Sequence, residues 1–461
     1  MSYRTAARNA SPPGPRGPGL ALGLGWLLAE QRLFPRWRER YGDVFMLHAT
    51  GFGVPLVVVS DPAEAKRIFA GDPATLRAGD GNRGPLRQLV GEESVLILDE
   101  EQHLHRRKLM LPPFHGERMR VYGELMSEIA DAEIDRWPLH QAFPLRPSMQ
   151  AITLRIILRA VFGIERDERA LGHLEQLFAR YSNQGMRPWM LLMAQRELPR
   201  FGPWRPFLRT RAEVDEFLRN EIDRRTRDPK LEARQDILSL LIGARDEDGG
   251  GLSPAELRDQ LMTLLIAGHE TTATALSWSI ERLLRHPQAL GRLTSELAED
   301  RDEYLGHVIQ ESLRSRPVIP FVLRYATEPV PVGEYLAPAD SLIAVSISLI
   351  HQRPDLYPEP DAFRPERFED GTTESFAWLP FGGGTRRCLG AAFATYEMRI
   401  VLRRVLERCE LHAPDPRPER PRRRAVTFVP HHGTRVVLRR RSPASPAGQS
   451  EEIDIREKET V

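Results

Sequence analysis

Two cysteines occur in the 461 residues, and the surroundings of one of them are suited to chemistry. Residues 381–390 read Phe-Gly-Gly-Gly-Thr-Arg-Arg-Cys-Leu-Gly. The glycines permit a tight turn that brings backbone amides onto the Cys388 sulfur. Ala391 to Leu406 follow with an amphipathic helical pattern, so the thiol stands at a helix N-terminus. Both features favour thiolate over thiol, and the thiolate is the form of cysteine that binds metal. Cys409 has no such neighbours and reads as a buried, chemically idle residue.

A soft anionic sulfur held by backbone donors suits the axial position of a haem iron, where it pushes electron density that promotes O–O cleavage. The pattern F-x-x-G-x-R-x-C-x-G is met at every fixed position. Chance would produce it in a chain of this length roughly once in ten thousand.

A second constellation is Ala267-Gly268-His269-Glu270-Thr271-Thr272, where polar residues interrupt an apolar helical run. A glycine and two threonines lower helix propensity, and a threonine hydroxyl can bond back to the carbonyl one turn earlier. The expected result is a loosened turn with room beside the backbone for a small molecule such as dioxygen or water. Alone, the hexad is also the signature of a bent helix with satisfied polar groups. Glu311 and Arg314 share a helix face at i and i+3, and Pro365-Glu366-Arg367-Phe368 brings a further arginine some fifty residues on. These can form a Glu311-Arg314-Arg367 cluster, although a lone E-x-x-R is usually a solvated pair.

The elements that must position these residues are mostly helices. Residues 1–19 are rich in Pro and Gly and read as an extended lead-in. Phe45 to Leu47 and Leu56 to Val59 read as strands around the turn Gly51-Phe52-Gly53, and Asp61-Pro62 opens a helix. Helical patterns dominate from there to about residue 315, including Leu104 to Leu111, Leu125 to Trp137 and Ile152 to Phe162. Strands are expected again at Leu342 to Val345 and over Val426 to Val437. The helix that carries the hexad has strong end signals: Ser253 as N-cap, Pro254 first inside, Glu256 completing a capping box, and Pro287 at the far end. The fold class is therefore mainly α with small β-sheets. No linker interrupts 20–441, which reads as one domain, and 442–461 reads as a disordered tail.

Composition narrows the function classes. Lys and Arg number 65 against 64 Asp and Glu, and the net charge of +1 gives no support to nucleic-acid binding. Two cysteines are too few for a disulfide framework and point to a reducing, cytoplasmic setting. Leu20 to Ala29 is about half of what a bilayer span needs, so no stable membrane span is expected, and the stretch reads as a short surface helix.

With these motifs in order, the chain resembles the cytochrome P-450 superfamily in its soluble bacterial part, over about Tyr41 to Leu438. The resemblance implies the fold of that family, with haem b between the long central helix and the cysteine loop. Cys388 would then ligate the iron, with Phe381 packed near the sulfur and Gly384 and Gly390 shaping the loop. Arg386 and Arg324 would bind the haem propionates, together with His103 and Arg107 from an H-x-x-x-R pattern; His105 competes with His103 for that role. Ala267 would lie over the haem. Glu270 and Thr271 would be the acid and alcohol that deliver protons where oxygen is activated, and Glu311, Arg314 and Arg367 would be structural. His269 reads as a helix-surface or supporting residue rather than a ligand.

By the same resemblance, Ser94, Val95, Leu96, Thr263, Ile319, Phe321 and Val322, with Ala267, would contact a small lipophilic substrate such as a fatty acid, terpenoid or steroid. Met186 to Met193 would line an entrance or pack in the core. Ser315 stands where the family usually has an apolar residue. No electron-transfer domain follows the core, so electrons are expected from a ferredoxin or flavodoxin with its reductase. Arg106, Lys108, Arg387, Arg399 and Arg403 are candidates for a positive docking face. The implied activity is a monooxygenase that inserts one atom of dioxygen. The alternatives are a peroxide-using or non-oxidative enzyme on the same scaffold, and a haem sensor without turnover.

Overall fold

The computed structural model describes residues 10–48, 53–114, 118–163, 168–187, 202–371, 374 and 376–440. The expected tail from 442 therefore lies outside the described residues, as do the turn tip at Gly51 and Phe52 and most of Met186 to Met193. Of the lead-in, residues 10–18 run extended and are tied to the body: the Pro13 carbonyl accepts from Met46 N at 2.8 Å, and Ala10 O from Leu336 N at 3.0 Å.

The first helix, Gly19–Tyr41, is longer than its apolar stretch. It kinks at Ala29, whose φ of −136° is non-helical, and carries Pro35 inside. Helix Pro62–Ala70 starts where Asp61 accepts a bond from Glu64 N at 2.9 Å. The molecule is then built around the helix Pro254–Arg285 of 32 residues, about 48 Å long at 1.5 Å per residue. Its capping box is formed as expected: Glu256 N donates to Ser253 Oγ at 3.3 Å and Ser253 N to Glu256 Oε2 at 2.7 Å. Helix Arg146–Phe162 packs along its middle, with Ala391–Arg408, Ala78–Val90 and Arg205–Thr226 against other faces. Nearly every face of the long helix is consequently buried.

Polar groups inside the helix do not loosen it. Helix runs unbroken through the hexad, while Thr271, Thr272 and Thr274 each donate to the carbonyl four residues back, at 2.6, 3.1 and 2.8 Å. A carbonyl oxygen has two lone pairs, so a hydroxyl can be accepted beside the helical N–H without displacing it.

Strands collect in small sheets. The largest runs Val44–Leu47, Leu56–Val59, Ser341–Ser346, Phe321–Ala326, Leu76–Arg77. Phe45 faces Val58 in an antiparallel pair, Val57 faces Ile343 in parallel, and Leu323 faces Ala344 antiparallel. The stretch Val426 to Val437 is not one strand. Thr427–Pro430 pairs with Pro421–Arg424, whereas Arg435–Arg440 lies between Ala142–Pro144 and Cys409–His412. Gly433 and Thr434, at φ of +74° and +54°, turn the chain between the two, which hydrophobic alternation could not reveal.

Glu311 and Arg314, on helix Glu303–Ser315, are both fully buried and bonded at 2.6 and 2.8 Å. Arg314 also donates to His351 O and Pro360 O at 2.8 and 2.9 Å, Glu311 accepts from Arg364 N at 2.9 Å, and Arg367 Nε stands 3.5 Å from Glu311. One carboxylate and two guanidinium groups thus hold the segment 351–367 that leads toward the cysteine loop.

Candidate active site

The cysteine loop is shaped by its glycines. Gly382 and Gly384 have φ of +67° and +64°, and a Cβ on Gly384 would overlap the Phe69 carbonyl. Cys388 N donates to Phe381 O at 2.9 Å, closing the loop, and Gly390 starts the helix Ala391–Arg408. Phe381 packs edge-on against Trp378, with ring centroids 6.0 Å apart. Cys388 keeps accessible surface, yet protein surrounds it closely, so that surface faces a cleft rather than bulk water. Burial pushes its thiol up. The Gly390 N–H and the guanidinium groups of Arg107 and Arg387 act the other way.

Beside the sulfur, positive charge converges from three elements. His103 and Arg107 come from helix Glu100–Met110, Arg324 from a central strand, and Arg386 from the loop itself. Arg386 donates to Asp99 Oδ1 and Leu98 O at 2.6 Å and to Val95 O at 3.2 Å. Arg324 lies over the Phe69 ring at 5.4 Å and, among the described residues, bonds only the neighbouring Leu323 carbonyl. Burial and the mutual repulsion of these cations lower Arg324 and Arg386 to about 10. Burial, with Arg386, Arg107 and Arg324 adding to it, lowers His103 to about 3, so its imidazole is neutral. His105 points elsewhere, with Nε2 at 2.7 Å from Asp246.

On the long helix, Ala267 is exposed and Thr271 half-exposed in the middle of an element whose other faces are buried. Glu270 is buried beside them, only 1% exposed. Its carboxylate is bonded by Arg146, by Arg424 Nε at 2.8 Å and by Gln150 Nε2 at 2.7 Å. Burial raises its pKa, but the two guanidinium groups outweigh burial and hold it below the usual carboxylate range. His269 is buried as well, not on a surface, with Nδ1 at 2.5 Å from Leu265 O. A residue that sequence reasoning missed is Glu397, on the cysteine helix. It is 1% exposed, bonded to the Thr272 hydroxyl, and its Oε1 has no partner. Burial pushes its carboxyl well above the usual range, against the opposing hydrogen bond of Thr272. Its position between Phe393 and Val401, on the apolar stripe of that helix, was the available signal.

A model of the family "Cytochrome P450", here written P-450, matches residues 12–436. The chain belongs to the cytochrome P-450 family. A relative in Mycobacterium tuberculosis, provisionally described as cytochrome P-450 135B1, is 43% identical over 446 residues, or 95% of this chain and 93% of that protein. Another in Mycobacterium bovis, provisionally described as cytochrome P-450 138, is 40% identical over 93% of this chain and 96% of its own length. Among solved structures, a cyanobacterial CYP120A1 with bound retinoic acid superposes with a TM-score of 0.81, at 26% identity, over 94% of this chain and all of that one. The heme domain of cytochrome P-450DA gives 0.82 at 25% identity, over 95% and 98%.

Membership makes the chain a haem-thiolate oxidoreductase of the monooxygenase type. The site fits a haem on its own terms. Among the described residues, Asp99 is the one carboxylate bonded to a desolvated group of three guanidinium groups and an imidazole, beside a thiol. That excess of buried cations is relieved by a planar ligand carrying two carboxylates at one edge.

Around this P-450 site the other expected residues are distributed unevenly. Leu96, Ile319, Phe321 and Val322 keep partial exposure. Ser94, Val95 and Thr263 are buried: the Ser94 and Thr263 hydroxyls are 2.6 Å apart, and Val95 N donates to Gln260 at 3.0 Å. These bonds clasp the 91–96 segment to the long helix. Met186 is buried in the core. The proposed positive face is largely neutralised. Arg106 is buried and paired with Glu256, Arg399 with Asp302 at 2.9 Å, and Arg403 with Asp300 and with Glu407 at 2.7 Å. Lys108 lies 3.6 Å from Glu247, which leaves Arg387 as the exposed cation of that set without a carboxylate partner among the described residues. Within the described residues, no helix is long and apolar enough to cross a membrane.

Proposed function

We propose that this cytochrome P-450 inserts one atom of dioxygen into a small lipophilic substrate, by hydroxylation or epoxidation, with electrons from a separate ferredoxin or flavodoxin and its reductase. The sulfur of Cys388 would hold the iron of haem b, and Arg386, Arg324, Arg107 and His103 its propionates. When bound, the haem supplies the metal at which oxygen is activated. Such chemistry needs protons in a site that otherwise excludes water.

The observation that carries this reading is a half-exposed Thr271 hydroxyl whose chain neighbours are tied to buried carboxyl groups, Glu270 just before it and Glu397, bonded to Thr272, just after it. Thr271 donates to Ala267 O at 2.6 Å, which leaves its oxygen able to accept a hydrogen bond. Turning the hydroxyl off that carbonyl presents a proton to the cleft. Glu397, whose carboxyl burial pushes well above the usual range, would supply a proton one residue along, at Thr272. Glu270 is an anion while both arginines hold it, and it can carry a proton only when one lets go. Arg424, on the rim at Asn183, is the more accessible of the two.

Leu96, Ile319, Phe321, Val322 and Ala267 offer apolar surface, which favours a substrate held by shape. The paucity of cysteines makes a cytoplasmic setting part of the same proposal. Turnover under labelled dioxygen, with a surrogate ferredoxin and reductase, tests it. One labelled oxygen atom per product is expected. Product that forms only with added peroxide, or carries no label, would overturn it.

A further inference from the structure

Away from the haem site, a cavity of about 120 Å³ opens between the first helix, the end of the long helix and the segment after Arg314. Its floor is the Trp278 indole and the Arg316 guanidinium, 5.5 Å from the indole centroid. Phe34, Leu349 and Phe428 make apolar walls, and Gln31 and Gln352 stand exposed at its rim.

Arg316 is unusual among the arginines here. Its Nη1 donates to the adjacent Ser315 carbonyl at 2.8 Å, its buried Nε has no partner, and no carboxylate lies within salt-bridge distance among the described residues. The surrounding charges do not replace one. Arg282 and Arg314 oppose it while Glu281 and Asp361 favour it. Glu281 and Arg282 are bonded to each other, and Arg314 is spent on Glu311. The one carboxylate on the cavity wall, Glu30, is paired with the buried Arg423. Burial and the neighbouring arginines lower Arg316 to about 10, so it remains charged at pH 7. A desolvated cation costs free energy unless an anion reaches it, and a planar guanidinium matches a carboxylate with two parallel bonds.

We propose that this cavity binds a small organic carboxylate, with its head on the Arg316 guanidinium and its apolar body against Trp278, Phe34 and Phe428. The cavity is open at its rim of Gln31 and Gln352, so a ring can seat against its walls without being fully enclosed. The cavity adjoins the predicted substrate segment, since Phe428 N donates to Val318 O at 2.9 Å, one residue before Ile319. An occupant on Phe428 therefore bears on that segment.

Calorimetric titration of the haem-loaded protein with benzoate tests the site, with neutral benzamide as control. Benzoate is expected to bind with a Kd of about 1 mM or tighter, and benzamide about tenfold more weakly. Two variants locate the site: Arg316→Met removes the cation, and Ser348→Phe fills the cavity while leaving Arg316 in place. Each is expected to weaken benzoate about tenfold or more with haem absorption unchanged. If one fails to fold, the other decides. Benzoate that binds no better than benzamide, or equally well in a folded variant, would overturn the assignment.

Discussion

Replacing Arg146 by methionine should make the protein's stability depend on pH in a way the parent's does not. Glu270 is almost fully buried and is held ionised by Arg146 and Arg424. In the parent its folded pKa lies below the unfolded value, so its contribution is complete above the unfolded pKa of about 4.3 and is lost only as pH falls through the lower folded value. Without Arg146, burial becomes dominant and the folded pKa rises. The sign then reverses. Stability is complete below about 4.3 and declines as pH rises through the new folded pKa, at up to about 1.4 kcal/mol per pH unit for one proton. Breaking one partner from a buried pair costs about 3–5 kcal/mol; with Arg424 still in place the lower figure applies. Unfolding entropy of about 2.1 cal/mol/K per residue comes to roughly 1 kcal/mol/K for this chain, so about 3 kcal/mol lowers Tm by about 3 °C. Thermal melts of parent and variant, read by circular dichroism, should diverge by that amount near pH 8 and converge toward pH 5. A gap of the same size at both would refute the reasoning.

Four other outcomes follow from the same geometry. Thr271→Ala removes the one half-exposed hydroxyl of the hexad and should divert electrons into peroxide, seen as less product per NADPH consumed; equal coupling would remove its role in proton delivery. Glu397→Gln keeps the neutral, buried shape but not the transferable proton. Stability should change by less than about 1 kcal/mol while product formation falls about tenfold or more, and unchanged turnover would exclude it from proton supply. Gly384→Ala combines a positive φ with overlap at the Phe69 carbonyl, so it should cost about 1–3 kcal/mol and lower haem content, measured by pyridine haemochrome assay. Glu311→Gln leaves Arg314 buried and uncompensated, which should cost about 3 kcal/mol or more in a denaturant titration.

Legibility in the sequence followed the range over which each residue acts. The tight turn at the cysteine, the capping box at Ser253 and the main helical patterns depend on near neighbours and are found in the structure, whereas the expected preference for thiolate is opposed by burial, which pushes the Cys388 thiol up. Glu311 and Arg314 were visible as a pair, but their burial depends on carbonyls at His351 and Pro360 that no local pattern announces. Long-range partners also explain the misreadings. Arg399 and Arg403 look like free surface cations until Asp302 and Asp300, a hundred residues earlier in the chain, come beside them. Ser94 and Thr263 look available until each takes the other's hydroxyl. Glu397 passed unnoticed because a glutamate on a helix is ordinarily solvated; only tertiary packing buries it, and that burial pushes its carboxyl well above the usual range against the opposing hydrogen bond of Thr272.

Everything attributed to the site presupposes sulfur ligation at Cys388. The purified protein, reduced under carbon monoxide, should show the long-wavelength Soret band from which the family takes its name, and Cys388→His should move that band to the shorter wavelength of imidazole-ligated haem. A histidine variant that kept the long-wavelength band, or a parent protein that bound no haem, would contradict the account.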